Sequence, residues 1–176
     1  MLSVRKQGLL ILDVIRSFQK YYSSPLGTLE LCANESSITS VQFVEELPDQ
    51  FENENEVLNE CCKQLNKYFI GQLKFFNISI ESNGTMFQNE VWNHLMKIPF
   101  GKTTSYMKLA QSMSNKKFAR AIGSSVSKNK TLILIPCHRV IGSKGDLVGY
   151  AGGLWRKKWL LDFERSFEPI RQTKLF

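Results

Sequence analysis

The sequence predicts an α+β protein. A small N-terminal α/β domain with an antiparallel sheet, residues 1–84, precedes a mostly helical C-terminal domain, residues 85–176, that contains a helix-turn-helix. Short runs of β-branched and aromatic residues are concentrated in the first half, whereas helical spacing of apolar residues dominates the second. The charge changes at the same place. The first half carries 7 Lys and Arg against 11 Asp and Glu, and the second carries 16 against 5.

Four runs predict the strands of the N-terminal domain: LLILDVI, TLELC, ITSVQFV and LKFFNISI. The acidic stretch EELPDQFENENE is typical of an exposed loop. It leads into a helix predicted over residues 56–69, where apolar side chains share one face. These side chains are Val57, Leu58, Cys61, Leu65, Tyr68 and Phe69. We therefore expect Cys61 in the core.

The C-terminal domain opens on a capping box formed by Thr85 and Gln88, and Pro99 with Gly101 ends the helix that follows. Two short amphipathic segments, TSYMKLAQSM and FARAIGSSVSKN, then flank the polar break SNKK. This pattern indicates a helix-turn-helix whose second segment is the recognition helix. The spacing alone also fits an ordinary helical hairpin.

The rest of this domain combines an apolar run, a loop and a helix. TLILI predicts a buried strand or extended segment, and the following Pro136 favours an extended backbone before it. GSKGDLVGYAGG is typical of a glycine-rich loop, and a last helix is predicted from Leu154 to Glu164. We expect the three tryptophans in the core: Trp92, Trp155 and Trp159.

Composition excludes several classes of protein. No apolar run of 18 residues occurs, so no membrane span is predicted. Asp13 and Arg16 interrupt the first apolar stretch, so we expect a strand there rather than a signal peptide. The four cysteines show neither a CxxC pair nor metal-ligand spacing, so no metal site is predicted. Adjacent Cys61 and Cys62 make a poor disulfide, which favours a reducing compartment, cytoplasmic or, in a eukaryote, nuclear.

The basic half predicts a polyanionic partner, for which nucleic acid is the usual candidate. A basic surface that serves only solubility is the alternative.

Cys137 and His138 form the most informative pair. A thiol is a modest nucleophile until it loses its proton, and an adjacent histidine can accept that proton directly or through water. Neighbouring residues of a strand point to opposite faces, so only an irregular backbone brings both side chains to one pocket. A third group must orient the imidazole, and Glu164 is one candidate among the five acids of this half.

The motifs around this pair resemble one family. IPCHRVIGSKGDLVGYAGGLWRKKWLLDFE is similar to the active-site signature of the O6-alkylguanine-DNA alkyltransferases (methylated-DNA–protein-cysteine methyltransferases). FQNEVWNHLMKIPFGKTTSYMKLA and ARAIGSSVSKN match it upstream, so the resemblance covers residues 85–176. The first half resembles the family's variable N-terminal domain only in length and α/β character. The resemblance implies a winged-helix-like C-terminal domain.

The implied function is DNA repair by direct damage reversal. A methyl or larger alkyl group would pass from O6-alkylguanine, with O4-alkylthymine as a further candidate substrate, irreversibly to Cys137. The damaged base would be flipped out of double-stranded DNA. No cofactor or metal is required. We expect a monomer, each molecule of which repairs one lesion.

The resemblance also assigns roles to residues. His138 would take the thiol proton through a water, and Glu164 would hold the other imidazole nitrogen. Tyr106 would donate a hydrogen bond to the flipped guanine, and Arg120 would fill the gap left in the duplex. The remaining positions are a hinge, a loop over the base, phosphate contacts and a lysine behind the cysteine. They are Asn129 for the hinge, Tyr150, Ala151 and Gly152 for the loop, Asn115 and Ser143 for phosphates, and Lys157.

Two positions depart from the family. Ala151 stands where some relatives have serine, which predicts altered inhibitor sensitivity rather than lost repair. Lys130 stands where proline is frequent. Two other functions fit parts of the sequence: a DNA-binding module without transfer, and a cysteine hydrolase that uses Cys137 and His138.

Overall fold

The computed structural model describes residues 17–45, 53–113 and 118–167. The N-terminal half contains an antiparallel sheet of β1 (Phe18–Ser24), β2 (Gly27–Ala33) and β3 (Ile38–Val44), in that order. Helix α1 (Glu56–Phe69) packs against the sheet. The predicted α+β class and the antiparallel sheet are confirmed.

The sheet buries one face, as its sequence alternation requires. In β2, Leu29, Leu31 and Ala33 are buried while the residues between them are not. Helix α1 follows the predicted pattern, and Cys61 is fully buried in its core-facing stripe. The side chain of Asn55 caps this helix by accepting a hydrogen bond from the Leu58 backbone N–H at 3.0 Å.

Two of the four predicted strands do not correspond to a strand of the described sheet. LLILDVI lies outside the described residues, and β1 comes from FQKYYSS, which no predicted run included. LKFFNISI is not a regular strand, and it makes one parallel bridge, between Ile80 and Ile38. The side chain of Gln64 takes up the backbone N–H and C=O of Asn77, each at 2.8 Å. A side chain therefore satisfies the backbone groups that a neighbouring strand would otherwise bind.

The C-terminal half is mostly helical, as predicted. It contains α2 (Met86–Met96), β4 (Thr104–Ser105), α3 (Tyr106–Ser112), α4 (Ala119–Ser127), β5 (Val140–Ile141) and α5 (Leu154–Ser166). β4 and β5 pair in parallel. The capping box is confirmed, because Thr85 and Gln88 each bind the other's backbone N–H through their side chains. Helices α3 and α4 pack against each other, and residues 114–117 between them lie outside the described part.

The TLILI segment is buried but not extended. The Leu134 N–H donates to the Leu132 C=O at 2.8 Å, and Ile133 between them has φ 71°, which is rare for a β-branched residue. The extended prediction is wrong because the backbone turns back on itself here. Thr131 still bridges to Val41 of β3, so the segment joins the two halves of the molecule.

One tryptophan prediction is wrong. Trp92 is buried and donates its indole N–H to the Ser125 C=O at 3.0 Å, and Trp159 is partly buried against Phe163. Trp155, however, is 58% exposed. The next two residues of α5, Arg156 and Lys157, are the ones that face inward, so Trp155 lies on the outer side of the helix.

None of the helices within the described ranges is both long and apolar enough to cross a bilayer.

Candidate active site

Cys137 opens a single 3₁₀ turn, Cys137–Arg139, that follows Pro136. The Cys137 N–H donates to the Ile135 C=O at 2.8 Å, and the Arg139 N–H donates to the Pro136 C=O at 3.0 Å. These tight turns provide the irregular backbone that the adjacent Cys and His require.

The Cys137 side chain lines a pocket of about 260 Å³. The volume lies just under the usual range for small-molecule sites, about 300–1,000 Å³. The other lining residues come from α3, α4 and the glycine-rich loop: Tyr106, Gly123, Val126, Ser127, Gly149, Tyr150 and Ala151. Three residues predicted to touch the base therefore share one cavity with the predicted acceptor sulfur.

The sulfur is buried and held by Asn129. The Asn129 amide donates to Cys137 Sγ at 3.1 Å and to the Ile135 C=O at 3.1 Å, while its oxygen accepts from the Thr131 N–H at 2.9 Å. Burial raises the pKa of the Cys137 thiol to about 11, although the Asn129 amide and the Lys157 ammonium favour the thiolate. At neutral pH the thiol is therefore protonated, and its reactivity depends on a base.

His138 is the candidate for such a base. Its Nε2 lies 2.9 Å from Glu164 Oε1, and both side chains are buried. Because an ionised carboxylate can only accept, Nε2 carries the hydrogen and Nδ1 of the neutral ring carries the lone pair. Nδ1 is buried and has no protein partner. Burial lowers the pKa of His138, while the Glu164 hydrogen bond and charge raise it.

Glu164 is the acceptor at the centre of a buried hydrogen-bond network. Besides His138, Oε1 accepts from the Tyr68 hydroxyl at 2.7 Å and from Arg139 Nη2 at 2.8 Å. Oε2 accepts from the Gly101 N–H at 2.9 Å and from Arg139 Nε at 3.0 Å. Burial alone would raise the pKa of Glu164, but the hydrogen bonds and charges of His138 and Arg139 lower it to about 2. Glu164 is therefore a carboxylate at neutral pH.

Sequence reasoning missed three of these donors. Arg139 had a local signal, since it follows His138 directly and a buried arginine requires an acceptor. Gly101 was interpreted only as a helix stop. Tyr68 was interpreted as a core residue of α1, and nothing local in the sequence relates it to Glu164, 96 positions away.

Two tyrosines line the pocket. Tyr106 is the first residue of α3, and its ring lies beside Gly123 of α4, where a Cβ would come within 3.9 Å. Burial, and the proximity of Cys137, raise the pKa of Tyr106, so its hydroxyl remains a neutral donor. The Tyr150 hydroxyl is buried without a protein partner, and its ring meets the His138 ring edge-on. Ala151 lies exposed at the pocket rim.

Lys157 is fully buried behind the loop. Its Nζ donates to the carbonyls of Val148 at 2.5 Å and Gly149 at 3.1 Å. Burial lowers the pKa of Lys157 to about 8, and Cys137 opposes this change. The lysine therefore anchors the loop that carries Gly149 and Tyr150.

The predicted DNA-contacting residues have different outcomes. Arg120, the second residue of α4, is exposed, and Ser143 is exposed in the turn after β5. Neither lines the pocket. Asn115 lies outside the described residues. Within the described ranges, no cluster of His, Cys, Asp or Glu is arranged to bind a metal.

Comparisons with known proteins identify the family. Residues 86–166 match the family model of the 6-O-methylguanine DNA methyltransferase DNA binding domain, and residues 18–82 match that of its ribonuclease-like domain. A methylated-DNA–protein-cysteine methyltransferase of Methanosarcina acetivorans is 40% identical over 150 residues, covering 82% of this chain and 96% of its own. The chain belongs to the 6-O-methylguanine DNA methyltransferase family. The resemblance inferred from the sequence is confirmed.

Solved structures of this family share the fold. The crystal structure of Mycobacterium tuberculosis O6-methylguanine methyltransferase is similar with a TM-score of 0.79 and 35% identity, over 88% of this chain and 96% of that one. A structure of Mycobacterium tuberculosis OGT in complex with DNA gives a TM-score of 0.77 and 37% identity, over 86% and 95%. The similarity extends through the N-terminal half, where sequence reasoning had found only general α/β character.

Proposed function

We propose that the protein repairs DNA by transferring the alkyl group of O6-alkylguanine to the sulfur of Cys137. One observation carries this proposal: a buried cysteine, followed in sequence by a histidine that is paired with a buried glutamate, lines a pocket of about 260 Å³. Relatives named methylated-DNA–protein-cysteine methyltransferase support the reaction type. O4-alkylthymine is a further candidate substrate.

The transfer is a displacement at a saturated carbon. The Cys137 thiol gives its proton, through a water, to His138 Nδ1, and the thiolate attacks the alkyl carbon. A carbon–sulfur bond forms while the bond between that carbon and guanine O6 breaks, and its electron pair returns to the guanine ring. A proton from the relay then completes the neutral base, so the products are a thioether and unmodified guanine.

Four other side chains would assist this step. Glu164 stabilises the imidazolium that forms at His138. Tyr106 donates a hydrogen bond to the flipped guanine, which helps the ring leave as a neutral base. Asn129 holds the sulfur and Lys157 holds the loop that carries Tyr150 and Ala151 over the base.

Double-stranded DNA containing the lesion would be the partner. A lesion inside the duplex must be swung out, which costs a few kcal/mol. The exposed side chain of Arg120 would occupy the vacated position, with Asn115 and Ser143 against phosphates.

We assign these contacts to the domain of residues 85–176, with residues 1–84 as the N-terminal domain. The family models, which end at residue 82 and begin at residue 86, support that division.

Nothing in the pocket suggests a group that could cleave a thioether, so each molecule would act once. We further propose that the protein acts as a monomer without a cofactor. A thiol nucleophile also requires a reducing compartment, which is the cytoplasm or, in a eukaryote, the nucleus.

The test is transfer of a labelled methyl group from duplex O6-methylguanine. We expect the label on Cys137, with Cys137→Ser binding the same duplex but receiving none. The proposal is wrong if the intact protein binds the duplex and the label stays on the DNA.

A further inference from the structure

We infer that Tyr68, a residue of the N-terminal half, is a positioning residue that tunes the His138 base through Glu164. This inference rests on the proposed function, because it assigns Tyr68 a part in the same proton relay. The contact of Tyr68 is with the carboxylate that also binds His138.

The contact is direct. The Tyr68 hydroxyl donates to Glu164 Oε1 at 2.7 Å, and His138 Nε2 lies 2.9 Å from the same oxygen. Tyr68 and His138 therefore compete for the charge on one carboxylate oxygen. A phenol that binds this oxygen draws negative charge away from the imidazole.

The Tyr68 ring has little freedom to move. It is fully buried in an aromatic cage with members from both halves of the chain. Phe76 lies 5.3 Å away between ring centroids, Phe163 lies at 5.7 Å, and Phe100 meets the ring edge-on at 5.8 Å. A buried hydroxyl without a partner is costly, and Glu164 is the acceptor that satisfies this one.

Other charged and titratable groups around the relay come from several elements. Arg139 and Cys137 belong to the turn that carries His138, Lys157 belongs to α5, and Tyr150 belongs to the glycine-rich loop. Arg139 and Lys157 disfavour a protonated His138, and Glu164 favours it. In the described residues, Tyr68 is the contribution of the N-terminal half to this balance.

Tyr68→Phe removes the competing donor and keeps the ring. More carboxylate charge then faces His138, so we expect the pKa of His138 to rise by on the order of half a unit to one unit. NMR titration of the full chain measures this directly, since it contains only two histidines and His94→Gln identifies the other signal. In single-turnover transfer, the acid limb of the pH–rate profile should move to higher pH by the same amount.

A matched control is a tyrosine of β1 that donates to the same helix. The Tyr22 hydroxyl donates to Asn66 Oδ1 of α1 at 2.8 Å. Tyr22→Phe also removes one tyrosine hydrogen bond from α1, and it should leave the His138 titration and the acid limb unchanged. A shift of equal size in both variants would mean that Tyr68 acts only through the stability of α1.

A second variant protects the test against misfolding. Site-specific 3-fluorotyrosine at position 68 keeps the ring and hydroxyl but makes the phenol more acidic, so its donated bond strengthens. The pKa of His138 should then fall, opposite to the Tyr68→Phe change. An unchanged His138 titration in both variants overturns the inference. Failure of the proposed function would be seen in a different measurement: the unmodified protein would transfer no methyl group at all, whatever the titration shows.

Discussion

The thiol of Cys137 is protonated at neutral pH, because burial raises its pKa to about 11. In the proposed mechanism its reactivity depends on His138, whose Nδ1 is buried without a protein partner while Nε2 is held by Glu164. At this scale the sequence was informative. The three residues of the relay were inferred from the PCHRV motif and the family resemblance, and the geometry joins His138 to Glu164.

Replacing the base isolates its contribution. His138→Gln should slow methyl transfer at pH 7 by about 10²–10⁴-fold, the usual range for a general base. The defect should shrink as the pH rises toward the thiol pKa of about 11. Single-turnover rates from neutral to alkaline pH measure this, with His94→Gln, outside the pocket, as the control. A rate within a few-fold of the original at pH 7 would contradict a base role.

Arg139 tests the cost of an uncompensated buried carboxylate. Arg139→Met removes the guanidinium that binds both oxygens of Glu164, so we expect a loss of about 3–5 kcal/mol in the free energy of unfolding. Urea denaturation measures it, and exposed Arg165→Met should change stability by less than about 0.5 kcal/mol. Equal losses in the two variants would show that the ion pair does not stabilise the fold.

At the scale of elements, local signals were reliable and non-local ones were not. Helix α1 was predicted because its apolar side chains recur on one face, and α2 because Thr85 and Gln88 form a capping box at its start. LKFFNISI failed because Gln64 of α1 binds its backbone. The prediction that TLILI is extended failed because Ile133 has a positive φ, which a branched residue rarely adopts and its sequence does not predict.

Arg156 of α5 joins elements from both halves. Its guanidinium donates to the Leu26 C=O at 2.9 Å, to the Gly152 C=O at 3.1 Å and to Glu45 at 3.1 Å, and it stacks on Phe43. It therefore holds the loop beside the pocket against the N-terminal sheet.

Arg156→Ala should lower the free energy of unfolding by about 2–3 kcal/mol, since buried carbonyls lose a charged donor. It should also slow transfer, because the loop that carries Tyr150 loses an anchor. Urea denaturation and single-turnover rates measure both effects. Lys158→Ala, an exposed neighbour on the same helix, is the control. Unchanged stability and rate in Arg156→Ala would remove this role.

At the scale of the whole molecule, Tyr68 of the N-terminal half contacts Glu164 of the candidate site. The sequence allowed no function to be assigned to it, because the contact between Tyr68 and Glu164 spans 96 positions and is formed only by tertiary packing. The second half was easier to interpret, since its excess of Lys and Arg points to a polyanion without any structural information.

Salt dependence tests that charge. Because phosphate contacts release counterions, affinity for undamaged duplex should fall by about tenfold or more between about 50 and 200 mM salt. Fluorescence anisotropy with Cys137→Ser protein, which cannot react, measures the binding alone. Affinity that is independent of salt would contradict a phosphate-dominated interface.

Acid should destabilise the fold in two stages. The pKa of His138 is lowered in the folded state, so below its ordinary value of 6.5 the unfolded chain takes up a proton that the native state does not, and stability falls. The pKa of Glu164 is about 2, so its contribution, present above the ordinary 4.5, is lost as the pH falls from 4.5 through 2. Urea denaturation at about pH 7.5, 6 and 5 measures the first stage. His138→Gln should reduce that slope, and an unchanged slope would contradict the buried neutral imidazole.

The most direct measurement is mass spectrometry of tryptic peptides after incubation of the protein with one molar equivalent of duplex O6-methylguanine. We expect a single methyl group on the tryptic peptide of residues 131–139, which contains Cys137, and none on peptides containing Cys32, Cys61 or Cys62. Further equivalents should add nothing. Methylation at another cysteine, or repair of several equivalents by one molecule, would contradict Cys137 as a single-use acceptor.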